Sequence, residues 1–431
     1  MHRPIAFDLV RTVFGAANGV PRGIDRVGFG YLSHLFETWP ADCFGLLPTP
    51  WGMRFFPRER VLRLRDRLAR IWREHDAEGD DPALVRLRSA CADTTPIVPR
   101  PPERRPATAD LIEVGRVLSL LAAGGVSPGR AVADLPPRTL HLDVTHRGLM
   151  RPSTLDWLAR RPDVSPVFMI HDVIPLQAPE LVGAEERRRH ATMMEMAARW
   201  AAAILTTTAA AADGIAAELA RRGRPDMPIH AVGLPIDDLF RSRPVPDPIV
   251  AARPYFLVCG SIDPRKNHAT LIEVWTRLAA RHGAATPRLV VAGATGGATA
   301  AMVMAMVAER GLAGHVVFAS GLSSPSIARL MAGARAVLLP SLAEGYGLPP
   351  AEALAMGTPA LVSDIPAVRD ALGDAALYAA PRDVDAWVRA AEALSGETPL
   401  RAEAVERARR FTAVGWPSYM AAVADILGRV D

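Results

Sequence analysis

Short runs of β-branched and apolar residues alternate along this chain with longer segments whose apolar positions recur every three to four residues. That alternation predicts βαβ units stacked around parallel sheets. In the first half, strands are predicted at 5–10, 139–144, 167–170, 203–207 and 229–232, with helices around 28–37, 185–200 and 209–221. The second half repeats the plan with strands at 255–259, 288–292, 315–319, 336–339 and 359–362, each followed by a loop and a helical pattern. Leu271, Val274, Trp275 and Leu278, for example, fall on one helical face. Between the halves Pro244, Pro246, Pro248 and Pro254 crowd together, a linker composition. The expected domains are therefore 1–236 and 255–412, joined by a linker at 237–254. Residues 57–136 mix arginine-rich, acidic and proline-rich patches with weak strand signals, and read as an irregular or inserted part of the first domain.

A chain of 431 residues is long enough for two cores. With 49% hydrophobic and 22% charged residues, it reads as a globular protein, not a disordered one. No apolar stretch approaches the roughly 20 residues that span a bilayer, and Met1-His2-Arg3-Pro4 runs straight into the first predicted strand, so no signal peptide is expected. Cys43, Cys91 and Cys259 are widely spaced and odd in number, which fits a reducing cytoplasm and small buried side chains. A net charge of +4 is too small to indicate nucleic acid. Basic residues do cluster at 58–73 and 100–105; a solvated helix face and loop are the expected reading, with peripheral contact to anionic lipid at the inner face of the plasma membrane as the alternative.

The 50 basic residues include a single lysine, Lys266, and the chain's two asparagines are Asn18 and Asn267. In an arginine-rich chain, a retained ammonium suggests a site needing a compact point charge, such as a phosphate oxygen in a tight space. Lys266 lies in Gly260-Ser261-Ile262-Asp263-Pro264-Arg265-Lys266-Asn267-His268, after a predicted strand and before a helix, with Asn267 expected as the N-cap. The second constellation is Pro340-Ser341-Leu342-Ala343-Glu344-Gly345-Tyr346-Gly347-Leu348-Pro349-Pro350-Ala351-Glu352. It follows a buried strand and ends at a helix whose first turn tolerates proline. Its glycines let backbone amides approach a ligand, the helix start favours phosphate, and Glu344 and Glu352, the latter expected in the first helical turn, can accept hydroxyl hydrogen bonds. In the first half, His171-Asp172-Val173-Ile174-Pro175 follows a predicted strand, and Asn18-Gly19-Val20-Pro21-Arg22-Gly23-Ile24-Asp25-Arg26-Val27 is a glycine-rich turn entering a helix. Ala292-Gly293-Ala294-Thr295-Gly296-Gly297 lacks full dinucleotide spacing and reads as a plain turn, Asp383 as a helix cap, and His141 and His146 as structural.

The spacing of Glu344 and Glu352 within EGYGLPPAE resembles the donor-site signature of the retaining glycosyltransferases of family 4, and SIDPRKN resembles its mannosyl-transferring members from bacteria. That resemblance implies the GT-B fold, two Rossmann-like α/β domains facing across a cleft. It implies that Glu344 contacts the transferred sugar, that Gly345, Tyr346, Gly347 and Leu348 line the sugar and diphosphate, and that Glu352 holds the ribose. Arg265 and Lys266 would stabilise the leaving nucleoside diphosphate, with Ser261 beside them. His171 would lie near the donor sugar, Asp172 would orient it or bind the acceptor, and Gly23 and Arg26 would lie over donor phosphate and acceptor. The segment 413–431 resembles the family's terminal helix, which returns to the first domain. Two departures stand out: Gly260-Ser261 where many members carry Gly-Arg, and Leu234-Pro235-Ile236-Asp237 before the linker where Asn-Gly-Ile-Asp is usual.

The expectation is an enzyme that moves a sugar, with mannose expected, from a nucleotide-diphosphate sugar to a glycan or lipid-linked acceptor in polysaccharide synthesis. No metal or other cofactor is expected, because the sugar nucleotide is a co-substrate and two side-chain cations meet its charge. A nucleotide-sugar epimerase or hydrolase of the same fold, or a non-catalytic nucleotide-sugar binder, would need the same diphosphate site.

Overall fold

A computed structural model describes residues 2–15, 23–77, 81–92, 128–294 and 297–430. Asn18 to Arg22 of the glycine-rich turn, Thr295-Gly296 and much of the 57–136 segment lie outside the described residues. The chain divides into two compact α/β units, each built on one sheet.

In the first unit the strands are β1 (Ile5–Asp8), β2 (Cys43–Thr49), β3 (Gly52–Pro57), β4 (Arg130–Ala131), β5 (Leu140–Asp143), β6 (Ser165–Met169), β7 (Ala203–Thr206) and β8 (Ile229–Ala231). They lie in the order β4-β3-β2-β1-β5-β6-β7-β8. Pairs from β2 to β8 are parallel, and β3 and β4 extend the sheet antiparallel. Every residue of β1, β5 and β7 is buried, the pattern of strands covered on both faces. The described part of the 57–136 segment is more regular than its composition suggests. It holds the helix Arg58–Ala77, which buries Val61, Leu64 and Leu68. Arg58 donates to the carbonyls of Phe36, Trp39 and Ala41 at 2.9, 2.8 and 2.6 Å, closing the end of the helix Gly23–Thr38. The terminal helix Trp416–Leu427 packs on Gly23–Thr38, where the Tyr31 and Tyr419 hydroxyls meet at 2.6 Å.

The second unit has β9 (Tyr255–Cys259), β10 (Arg288–Ala292), β11 (Val316–Ala319), β12 (Val337–Leu339), β13 (Ala360–Ser363) and β14 (Leu377–Ala379), all parallel, in the order β11-β10-β9-β12-β13-β14. From β9 the chain winds outward to β11, then crosses back to start again at β12 on β9's other side. Loops leaving β9 and β12 therefore diverge, opening the crevice in which doubly wound sheets hold ligands. The helix Pro82–Ala92 belongs to this unit. Leu84, Leu87 and Cys91 join the core around Leu257 and Val290, and Arg88 bonds buried Asp247 at 2.9 Å. All three cysteines are buried, and none is in a disulfide. No helix among the described residues is long and apolar enough to cross a membrane.

The first unit has its own reversal point, between β1 and β5, and two acids end those strands. Asp8 Oδ1 accepts the Val10 amide at 2.9 Å; Asp143 Oδ1 accepts the Thr145 amide at 2.8 Å and hydroxyl at 3.1 Å. Their remaining oxygens converge on Gly148, where a Cβ would lie 2.8 Å from Asp143 Oδ2 and 3.1 Å from Asp8 Oδ2. Burial, then the charge of Asp143, raises the Asp8 pKa well above the carboxylate range, and burial raises that of Asp143. A raised acid pKa costs nothing below the unfolded value, then erodes stability as pH climbs toward the folded one. Asp8→Asn keeps the bond to Val10 and removes an ionisation. Its melting temperature should exceed that of the unaltered protein above about pH 4, with the gap widening as pH rises; melting curves across pH check this.

Candidate functional site

At the end of β9 the backbone turns through Gly260, and Asp263 starts a single 3-10 turn, Pro264–Lys266. Its Oδ1 accepts the Lys266 amide at 3.2 Å and its Oδ2 takes the Ser261 hydroxyl at 2.6 Å. Pro264 suits this turn, with φ preset and no amide to satisfy. Asn267 then sits in left-handed backbone, φ 54°, which asparagine tolerates better than most residues. It stands at the N-cap position of His268–His282 without capping it. Its side-chain amide instead donates to the carbonyls of Pro340 and Pro381, both at 2.9 Å, so the residue expected to cap a helix ties three loops together.

The loop after β12 approaches from the neighbouring strand. The Leu342 amide donates to the Arg265 carbonyl at 2.8 Å, and Arg265 Nη1 donates to the Ala343 carbonyl at 2.8 Å. Arg265 Nη1 also reaches Glu344 Oε2 at 2.8 Å, while Lys266 Nζ reaches Glu344 Oε1 at 2.6 Å and the Ser341 hydroxyl donates to that same oxygen at 2.6 Å. Burial would raise the Glu344 pKa, but Lys266 and Arg265 outweigh it and hold the carboxyl at about 2. Two cations sharing one carboxylate are fixed in direction before any ligand arrives.

Gly347, at φ 95°, turns the chain into the helix Leu348–Ala355, with prolines in its first turn. Leu348 opens the helix; Pro349 and Pro350 carry no amide proton and the Ala351 amide bonds the Gly347 carbonyl at 3.4 Å, so it is the helix dipole that favours an anion here. The Tyr346 phenol is pushed up to about 12 by burial, so it stays a neutral hydrogen-bonding group. Glu352 is buried and stands beyond the first turn of the helix, not within it as the spacing suggested.

Ser341 and Asp263, which set the geometry of Glu344 and Lys266, were legible only as motif members without a role. Gly293 was read as plain turn chemistry, yet a Cβ there would come within 1.8 Å of the Gly260 carbonyl oxygen. Since that oxygen is backbone, Gly293→Ala must move the β9 loop. Affinity for an anion bound at this loop should fall by roughly tenfold, a cost near 1.4 kcal/mol, measured by calorimetry with inorganic pyrophosphate.

Among the first-unit candidates, His171 follows β6 and is buried. Its Nε2 lies 3.2 Å from the Val144 carbonyl, which can only accept, so Nε2 carries the proton and Nδ1 presents a lone pair. Burial lowers its pKa to about 4, and it is neutral at pH 7. The residue holding it is His146, whose Nε2 accepts the His171 amide at 3.1 Å with the rings 4.7 Å apart. His146 has φ 66°, a conformation its sequence context does not signal. Asp172 caps the Ile174 amide at 3.1 Å. Gly23 is the first residue of Gly23–Thr38, and Arg26 lies half-buried in its first turn.

Residues 245–411 match the family model "Glycosyl transferases group 1". They are a glycosyl transferases group 1 domain. Over 136 residues the chain is 35% identical to the O-antigen chain mannosyltransferase RfbU of Salmonella typhimurium, a match covering 31% of this chain and 36% of that one. The chain spans about a third of the length of such curated relatives. Among solved structures, sucrose-phosphate synthase from Thermosynechococcus elongatus superposes with a TM-score of 0.60 at 15% identity, covering 99% of this chain and 98% of that one. Anabaena HepE, solved with UDP and glucose, gives 0.54 at 16% identity over 67% of this chain and 77% of that one. The group 1 domain thus contains the whole Arg265, Lys266, Glu344 and Glu352 constellation, and the two units are Rossmann-like domains of the GT-B kind.

Proposed function

We propose that this protein is a retaining glycosyltransferase that moves a sugar, with mannose favoured, from a nucleoside-diphosphate sugar onto a glycan or lipid-linked acceptor in cell-surface polysaccharide synthesis. One observation carries the reading: the Glu344 carboxylate is shared between Arg265 and Lys266 beside a helix start, at the reversal point of the sheet. In the transition state negative charge grows on the departing β-phosphate, and cations already fixed in place lower that barrier without reorganising. They also supply the charge that a metal would otherwise bring, so none is needed in this reading. Glu344 would hold a sugar hydroxyl, Glu352 the ribose, and the amides of 345–348 the diphosphate. The diphosphate would take the acceptor's proton on the face it leaves, giving retention. Mannose is favoured by the printed activity of the O-antigen relatives.

The test is incubation with a panel of nucleotide sugars, guanosine-linked mannose among them, and candidate acceptors, with products read by mass spectrometry and NMR. Transfer with the anomeric configuration kept is the expected result. Epimerised or hydrolysed donor without transfer, or binding without turnover, would overturn the proposal.

A further inference from the structure

We infer that the helix Pro82–Ala92 is a strap docked on the second unit, and that Asp81 at its start is a positioning residue for the loops that meet the diphosphate. The inference rests on the transferase reading, in which an anion binds beside Lys266. The segment that carries the helix, residues 75–105, belongs to the second unit yet is bounded on both sides by residues of the first, so nothing in its local sequence compels it to dock.

The second unit's sheet needs a helix at this place. The helices His268–His282 and Ala298–Glu309 follow β9 and β10 and bury Leu271, Trp275, Val303 and Val307 on one face. The other face of β10 and β11 presents Val290, Ala292, Val317 and Ala319. These share a core with Ala83, Leu84, Leu87, Ala90 and Cys91, which recur along one side of the strap. Polar clamps hold it as well. Arg88 bonds Asp247 at 2.9 Å, a fully buried carboxylate that also takes the Val250 amide at 3.1 Å, and Arg288 donates to the Cys91 carbonyl at 2.5 Å. A helix of 11 residues is marginal by itself, so the strap is folded where it is docked and opens as one piece.

Asp81 ties this strap to the site. Its Oδ1 accepts the Ala83 amide at 2.8 Å and caps the strap; its Oδ2 accepts the Ser323 amide at 2.8 Å, just past the loop that leaves β11. From there backbone bonds run across the carboxyl ends of three neighbouring strands. The Gly293 amide, after β10, donates to the Ala319 carbonyl that ends β11, and the Gly260 amide, after β9, donates to the Ala292 carbonyl that ends β10, both at 2.9 Å. Gly293 is also where a side chain would strike the Gly260 carbonyl, so the β9 and β10 loops move together. Gly260 opens the loop that presents Arg265 and Lys266. Docking of the strap and binding of an anion at that loop are therefore coupled, and by linkage each favours the other.

The test uses the full chain, inorganic pyrophosphate and the thiol of Cys91, which is buried beneath the strap and labelled when the strap lifts. A maleimide pulse followed by peptide mapping compares it with Cys259, inside β9. Cys91 should label faster than Cys259, and saturating pyrophosphate should slow Cys91 by about fivefold or more. An Arg265→Ala, Lys266→Ala chain should show no such slowing. Asp81→Ser keeps a capping oxygen for the strap but is too short to hold Ser323 as well, and should weaken pyrophosphate severalfold in a calorimeter. Loss of a negative charge would by itself strengthen an anion's binding, so the weakening reports the tie and not the charge. Cys91 labelling no faster than Cys259, labelling that ignores pyrophosphate, or unchanged affinity in Asp81→Ser would each overturn the inference. Pyrophosphate binding that is indifferent to Arg265 and Lys266, or no binding, would instead sink the reading on which it rests.

Discussion

Replacing Lys266 by Met should cut turnover by about a hundredfold or more, the loss seen when one fixed donor to a developing negative charge is removed. The methionine fills similar space, and Glu344 keeps its bonds to Arg265 and Ser341 while losing the cation that most lowers its pKa, so the melting temperature should fall, but by less than in Glu344→Gln. Activity would then fall because an ammonium is missing, not because the loop has collapsed. Lys266→Arg should rescue poorly. A guanidinium fork is larger than the ammonium that meets Glu344 Oε1 at 2.6 Å, and it cannot place one compact charge at that point. Steady-state rates and thermal melts on the two variants check both parts. Unchanged turnover in Lys266→Met would remove this residue from the chemistry.

Glu344→Gln should be the most destabilising of these changes, by about 3 kcal/mol, because it strips the shared carboxylate from two largely buried cations. The pH dependence fixes its sign. Glu344 is held near 2, below its ordinary 4.5, so its stabilisation is present above about pH 4.5 and is lost as pH falls toward 2. Denaturant melts of the unaltered protein should therefore weaken across that window, and the Gln variant should show a flatter acid limb from a lower plateau. Equal slopes in the two proteins would mean that Glu344 is not ionised between its cations.

Much of this was legible in the sequence because the parallel core speaks in continuous apolar runs. The predicted strands at 255–259 and 288–292 match β9 and β10 residue for residue. What escaped were strands that such runs do not mark. β2 carries Gly45 and Pro48, β3 ends at Pro57, and β4 is two residues long, so the antiparallel extension left no clear period. The helix Pro82–Ala92 was hidden for a different reason. Its neighbours in sequence belong to one unit and its packing to the other, a long-range choice that no local pattern reports. In the second-unit site, motif spacing named Arg265, Lys266 and Glu344 but not that they touch. Their contact comes from the strand order, which sets β9 against β12 across a crossover. The roles of Asn267 and Gly293 also needed three dimensions, one as a tie between loops and the other as bare backbone under a carbonyl.

The most direct measurement is a crystal structure of the full chain with a nucleoside diphosphate bound. The account predicts the terminal phosphate within hydrogen-bonding distance of Lys266 Nζ and the Arg265 guanidinium, at the start of Leu348–Ala355, with the ribose on Glu352. A nucleotide found anywhere else, with Arg265 and Lys266 still paired to Glu344, would contradict it.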